Sequence, residues 1–301
     1  MKNSIRIGID LGGSKTEVIA LSEHGDTLLR DRVPTVANDY EATLSAIKGL
    51  VEHVEQTLNT TGTVGIGTPG AMSPQTGLLK NSNSTWLNGK PLQQDIENCL
   101  QRRVRLANDA NCFALSEAID GAAQDGHVVF GVIVGTGTGG GIVVDKKVLT
   151  GPNAIAGEWG HNPVPWPSAD ELPGPLCYCG KRGCIETFLS GPGLAKEFFN
   201  VTGTQYSAEE IAQQAEAGDV NAGAALKRYE ARMAKCLASI INVLDPDKIV
   251  LGGGMSNIER LYHNVPKLWG QYVFSDTVAT RLVAPRYGDS SGVRGAAWLW
   301  Q

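Results

Sequence analysis

Hydrophobic and polar positions repeat one motif twice along the chain. Ile5-Arg6-Ile7-Gly8-Ile9-Asp10-Leu11 alternates and then becomes almost wholly apolar, as a strand entering a core does. It ends on Gly12-Gly13-Ser14-Lys15-Thr16, and residues 17–21 resume at once as a second strand. The pair reads as a hairpin with a glycine-rich tip. His24-Gly25-Asp26 then turns the chain into a third strand near 27–33. Past the small, polar segment 122–126 the pattern restarts. A strand over 128–134 meets Gly135-Thr136-Gly137-Thr138-Gly139-Gly140-Gly141, and a second strand follows over 142–145. Two such openings predict an internal repeat.

Other elements alternate with these. Leu44, Ile47, Val51, Val54 and Leu58 have helical spacing, with Asn38 or Asp39 as cap. Residues 63–68 and 104–107 read as strands, the latter ending on Asn108-Asp109 ahead of a helix to about 121. Pro91 opens a short helix that buries Leu92, Ile96 and Leu100. In the second half, Ser207-x-x-Glu210 is a capping box, and a helix over 221–244 stops before Pro246. Residues 247–251 form a strand that reaches Gly252-Gly253-Gly254. This alternation predicts an α/β protein. The expected domains are 1–121 and 122–289, with a final helix in 290–301 packed back on the first domain.

Composition narrows the class. A chain of 301 residues with 42% hydrophobic and 19% charged positions suits two globular domains. A net charge of −5 argues against nucleic acid or an anionic membrane as partner. There is no apolar signal core at the start, and the longest apolar run is far too short for a bilayer. Cys99, Cys112 and Cys236 lie singly on helical segments and read as core. With no disulfide framework, a reducing cytoplasmic setting is expected.

The remaining three cysteines carry chemistry. His161, Cys177, Cys179 and Cys184 fall within 24 positions. One imidazole and three thiolates fill the closed tetrahedron of a structural Zn²⁺. Gly180 and Gly183 stand where a chain folding around an ion needs positive φ. Four protein ligands leave no open position, which argues against a zinc hydrolase. Glu158 and Glu186 flank the cluster. The tips at 12–16 and 135–141, with Gly252-Gly253-Gly254, offer backbone amides to phosphate or adenine. The GxxxxGK[ST] spacing of a P-loop is absent. Asp10 suits water-mediated Mg²⁺, with Lys15 adding charge and Thr16 a hydroxyl. Asn108 and Asp109 are good helix caps, and Asp109 would also serve as the base that accepts a hydroxyl proton. Trp86, Trp159 and Trp166 read as core positions or as platforms for a sugar face.

In this order, Asp10-Leu-Gly-Gly-Ser-Lys-Thr16, Asn108-Asp-Ala-Asn111, Gly135–Gly141, Gly157-Glu-Trp-Gly-His161, Cys177-x-Cys-Gly-x-x-Gly-Cys-x-Glu186 and Leu251-Gly-Gly-Gly254 resemble the repressor/ORF/kinase (ROK) family of sugar kinases. The resemblance spans essentially the whole chain, with Ser14 where the family usually has Thr. It implies two actin-like (ribonuclease H-like) ATPase domains with ATP in an interdomain cleft, Asp109 as general base, and Asn83, Asn108, Asp109, Glu158, His161 and Glu186 on the sugar. His161 would serve both metal and sugar. It places Gly8, Ile9, Asp10, Leu11, Gly12, Gly13, Ser14, Lys15 and Thr16 at the nucleotide, with Gly135, Thr136, Gly137, Thr138, Gly139, Gly140, Gly141 and Ile142, and Gly252, Gly253 and Gly254. Implied cofactors are ATP, Mg²⁺ and structural Zn²⁺, and the implied assembly is a homodimer. Residues 81–89 (NSNSTWLNG) and Trp159-Gly-His-Asn-Pro-Val-Pro-Trp166 resemble bacterial fructokinases, also called manno(fructo)kinases. The expected reaction is therefore D-fructose to fructose 6-phosphate, with mannose and glucose as further candidates. The alternative is an N-acetylglucosamine or other amino-sugar kinase, which the chain resembles at 109–117. A sugar-responsive repressor is the reading from another class. Such members carry an N-terminal helix-turn-helix, and only about four residues precede the first strand here.

Overall fold

The computed structural model describes residues 5–301. Residues 1–4, the head of the first expected domain, lie outside the described residues. In chain order the elements are β1 (Ile5–Leu11), β2 (Lys15–Leu21), β3 (Thr27–Pro34), α1 (Tyr40–Leu58), β4 (Gly62–Thr68), β5 (Ala71–Met72), β6 (Leu79–Lys80), α2 (Leu92–Leu100), β7 (Val104–Asn108) and α3 (Asp109–Ile119). There follow β8 (Val128–Val134), β9 (Thr138–Val144), β10 (Lys147–Val148), α4 (Ile185–Leu189), α5 (Gly191–Thr202), α6 (Ala208–Glu216) and α7 (Val220–Leu244). The chain closes with β11 (Lys248–Gly252), α8 (Arg260–Trp269), β12 (Arg281–Val283) and α9 (Ser291–Ala297).

Two five-stranded sheets share one plan. The first runs β3-β2-β1-β4-β7 and the second β10-β9-β8-β11-β12. In the first, β1 pairs antiparallel with β2 and parallel with β4, and β4 pairs parallel with β7. In the second, β11 lies parallel between β8 and β12. The repeat expected from the two openings is thus present as a repeated strand order.

The chain divides into two compact units. One comprises residues 1–124, 141–156 and 289–301, and the other 125–140 and 157–288. The sequence reading has no counterpart for the excursion at 141–156. Packing explains it: a Cβ on Gly141 would stand 2.5 Å from the Ala110 carbonyl oxygen. Lys80 Nζ also donates to Asn153 O at 2.8 Å, and Lys146 Nζ donates to the carbonyls of Ala118 and Gln124. A second difference is that the glycine run is itself strand, since β9 starts at Thr138 rather than at 142.

In the first unit, alternate residues Ile5, Ile7 and Ile9 of β1 join Val64 and Ile66 of β4 under the apolar face of α1. Asp39 caps α1 by accepting from Ala42 N at 2.9 Å, and Asn59 ends it with φ 48°. α9 lies on this unit at backbone contact. A side chain on Gly8 or Gly65 would strike the carbonyls of Val293 or Ala296, and one on Gly295 the Cys112 carbonyl. Ser291 Oγ donates to Glu117 Oε1 at 2.6 Å, and Arg294 pairs with Asp120. Glycine is needed there because a helix backbone rests directly on strands.

In the second unit α7 is the spine. Leu226, Tyr229, Met233 and Leu237 are fully buried, and Tyr229 Oη donates to Leu189 O at 2.8 Å. The expected capping box of α6 is formed by Ser207 and Glu210. The Asp247 carboxylate accepts from the amides of His127 and Val128, which fixes the start of β8 beside β11. Among the described residues no helix is long and apolar enough to cross a membrane.

Candidate active site

In the first unit the β1–β2 tip and the start of α3 carry the candidate groups. Gly12 N donates to Lys15 O at 3.0 Å, closing the turn, and a Cβ at Gly12 would meet that oxygen at 2.7 Å. Gly13, Ser14 and Lys15 are exposed above it. Thr35 braces the turn from below, with its N donating to Ser14 O and its Oγ1 to Gly12 O. Thr16 is buried and its hydroxyl bonds Thr35 Oγ1 at 2.9 Å, so it is part of this brace rather than an open donor. Of the residues expected at the nucleotide, Gly8, Ile9 and Leu11 lie within β1. Gly8 lies under α9, and Ile9 and Leu11 are core side chains.

Asp10 lies next to the C-terminal end of β1. Burial of its carboxyl, then the negative charges of Asp109 and Glu17, push it up to about 7 against the opposing Lys15. Gly67 and Gly292 leave space around it, since a Cβ at either would come 3.6 Å from Oδ1 or 3.3 Å from Oδ2. Gly292, read from the sequence only as part of a closing helix, is brought beside this carboxylate. Such a crowded carboxylate suits a divalent cation, whose charge would offset both burial and repulsion.

Asn108 and Asp109 are both helix caps and both site candidates. Asn108 Oδ1 and Asp109 Oδ1 accept from Ala110 N at 2.9 and 2.8 Å. Asp109 is exposed on the first turn of α3, where aligned backbone dipoles favour a negative group. Asn83 is exposed on a loop that holds itself together: Asn88 accepts from Ser82 N and donates to Ser82 O, both at 2.9 Å. Trp86 is also spent within the fold, its Nε1 donating to Thr43 Oγ1 at 3.4 Å.

The second unit gathers the His161 and cysteine cluster, two carboxylates and the second tip. The ligand atoms of His161, Cys177, Cys179 and Cys184 all lie within 4.8 Å of one another. Cys179 Sγ and Cys184 Sγ are 3.6 Å apart, as are Cys177 Sγ and His161 Nδ1. A tetrahedron with Zn–S of about 2.3 Å and Zn–N of about 2.0 Å has edges of roughly 3.5–3.8 Å, so these residues fit zinc. Burial and the neighbouring sulfurs push the Cys184 thiol up to about 12. A cation would reverse that by favouring the thiolate. Gly180 and Gly183 have φ of 85° and 70°, the left-handed geometry expected between the last two cysteines. His161 Nε2 faces away and meets Tyr178 Oη at 2.9 Å.

Glu186 joins the cluster to the second tip. Its Oε2 accepts from Thr138 N at 2.9 Å, and a Cβ on Gly137 would meet that oxygen at 2.7 Å. Glu158 is exposed just before Trp159. Trp159 is a core residue, edge-on to Phe130 with Nε1 on Gly139 O. Trp166 is half exposed and stacks on Tyr272. Gly140 is required by packing, since a Cβ would meet Gly157 O and the Phe130 ring at 2.9 Å. Thr136 is exposed at the tip, while Thr138 Oγ1 is buried with no hydrogen-bond partner. Ile142 lies within β9, beyond the tip.

Beside this tip is a cavity of about 790 Å³. Gly135 and Thr136 form one wall, Gly191 and Pro192 of α5 another, and Gly254 to Ile258 a third. Gly253 has φ 78° and its Cα packs on Val134, which opens the chain at that point. The fourth wall is α6, with Ala208 and Ala212 against the space and Glu209, Gln213 and Glu216 at the polar side. The sequence shows the cap of α6 but not its place on this cavity. Its signal was two alanines four apart on a helix whose one buried residue is Ile211.

A cavity with a glycine tip and a small-residue wall suits a nucleotide. The sequence profile of the ROK family matches residues 6–301. An N-acetyl-D-glucosamine kinase of Vibrio atlanticus is 39% identical over 296 residues, 97% of this chain and 98% of its own. A ROK hexokinase of Thermus thermophilus superposes with a TM-score of 0.86 at 29% identity, over 98% of this chain and 97% of that one. A ROK glucokinase of Streptomyces griseus, solved with glucose and AMPPNP, gives 0.78 at 27% identity over 98% and 99%.

Proposed function

The chain belongs to the ROK family, and from that premise we propose that this sugar kinase transfers the γ-phosphoryl group of ATP to the terminal hydroxyl of N-acetyl-D-glucosamine. The supporting observation is near full-length similarity, at 38–39% identity, to relatives that carry this name. The fold is the two-domain, actin-like α/β fold of ROK kinases. Fructose, the acceptor expected from the sequence, finds no support among these relatives. It stands as the second reading on one observation, the residues of 81–89 and 159–166. Much of that stretch is spent on its own structure, as Asn88 on Ser82 and Trp159 on Phe130 show.

In this reading Asp109 is the general base. Its exposed carboxylate accepts the proton as the sugar hydroxyl attacks phosphorus in line. Asn83, Asn108, Glu158, His161 and Glu186 hold the other polar groups of the sugar. Glu186 offers its second oxygen while the first stays on the Thr138 amide. The 790 Å³ cavity takes the adenosine. The amides of 12–15 and 135–138 take the phosphates. Mg²⁺, held through Asp10, would supply positive charge to the phosphates. Zinc, held by His161, Cys177, Cys179 and Cys184, would supply rigidity to the loop that carries Glu186. Homodimerisation and cytoplasmic location are part of the same proposal.

The test is a coupled ADP-release assay with ATP and Mg²⁺, ranking sugars by kcat/KM. N-acetyl-D-glucosamine in first place is the expected result. Fructose in first place selects the second reading, and no turnover with any hexose or acetamido-hexose overturns both.

A further inference from the structure

The imidazole of His161 has one nitrogen for the metal and one for something else. Nδ1 lies on the side of the thiols, 3.6 Å from Cys177 Sγ. Nε2 meets Tyr178 Oη at 2.9 Å, and the two rings stand edge to face with centroids 5.1 Å apart. Tyr178 sits between the ligands Cys177 and Cys179, so the metal loop fixes its backbone. Its side chain is 83% exposed. A ring that binds metal through Nδ1 carries its proton on Nε2 and donates one hydrogen bond there. Tyr178 Oη accepts that bond. A sugar hydroxyl would accept the same one, and a single N–H cannot serve both well.

We propose that Tyr178 is a built-in stand-in for a sugar hydroxyl, occupying His161 Nε2 in the sugar-free protein and yielding it when sugar binds. The inference rests on the reading that places His161 on the sugar. An exposed tyrosine is suited to this part, because its hydroxyl passes from imidazole to water without being stranded. The hydrogen bond is exchanged one for one, so the cost of displacement is the small net value of the tyrosine contact. That cost lowers sugar affinity by about 2- to 10-fold. It is common to every sugar that reaches Nε2, so it sets the threshold for binding without reordering preference. A tyrosine that only orients a metal ligand would behave otherwise. Its loss would weaken zinc binding by roughly 10- to 100-fold and would not tighten sugar binding.

Zinc-loaded wild type, Tyr178→Phe and Tyr178→Ala separate these roles. Calorimetric titration with N-acetyl-D-glucosamine and D-fructose gives sugar affinity, and competition with a chromogenic chelator gives zinc retention. Both variants are expected to bind each accepted sugar about 2- to 10-fold more tightly, by the same factor, with zinc retention unchanged. Unchanged or weaker sugar binding in both variants overturns the proposal, as does a loss of zinc affinity. If wild type binds neither sugar, the underlying reading falls as well. If wild type binds but the variants match it, only the stand-in role falls.

Discussion

The two glycine tips occupy equivalent places in two sheets of the same strand order, yet glycine serves a different purpose in each. At 12–15 the constraint is internal. Gly12 closes on Lys15, Thr35 braces the turn, and Gly13, Ser14 and Lys15 are exposed. At 135–141 the constraint comes from outside. Gly137 makes room for Glu186, Gly140 for Gly157 and Phe130, and Gly141 for Ala110. The first tip is an exposed ledge. The second is a joint through which the loop of the His161 and cysteine cluster, by way of Glu186, meets the edge of the 790 Å³ cavity. A repeated fold thus supplies two similar hairpins, and the neighbours of each decide its work.

The largest effect tests the chemistry that the first half carries. Asp109→Asn keeps the cap of α3 but removes the base, and kcat should fall by about 10²- to 10⁴-fold with sugar affinity nearly intact. Activity within a few-fold of wild type would remove Asp109 from the role. Zinc chelation should act on the second half alone. Thermal unfolding is expected to shift downward, with hydrogen exchange rising first over 157–186, because metal binding is coupled to folding. Unchanged melting after complete zinc removal would mean that the cluster is not structural.

Gly141→Ala sharpens the comparison further. The added methyl would stand 2.5 Å from Ala110 O, and backbone cannot yield cheaply there. Urea unfolding should show a loss of about 1–3 kcal/mol or more. Stability equal to wild type would mean that 141–156 can lift from its unit.

A further effect is a pH dependence. The folded protein holds Asp10 at about 7, against an ordinary 3.8, so it binds more protons than the unfolded chain between those values. Stability from this group is therefore greatest near pH 4 and falls as pH rises to 7. Asp10→Asn should match wild type near pH 4 and exceed it at pH 8, while losing activity. A variant less stable than wild type at pH 8 would contradict the account.

Sequence made most of this legible where local rules act alone. The Asp39 cap, the Ser207–Glu210 box and the stop at Pro246 are short-range signals, and the structure forms each one. The cysteine spacing was equally readable, since tetrahedral coordination demands donors in a small volume. Long-range packing was not readable. Gly8 sits in a run that looks like a phosphate loop, yet it is glycine because α9 lies on it from nearly 300 residues away. Thr16 points inward because Thr35 returns beneath the turn. The α6 wall was missed because alanines at helical spacing carry no chemical signal until the opposite walls are in place.

The most direct test of the account sets Gly13→Ala beside Gly137→Ala. A Cβ at Gly13 would have Ser84 Oγ as its nearest neighbour at 3.6 Å, so the fold should accept it while the ledge narrows. At Gly137 the methyl would displace the Glu186 carboxylate from the Thr138 amide. The account predicts that Gly13→Ala raises KM for ATP and leaves the sugar KM unchanged. Gly137→Ala should raise the sugar KM, with both variants melting close to wild type. If instead both substitutions change only the ATP KM, the two tips do the same work, and the division of labour described here is wrong.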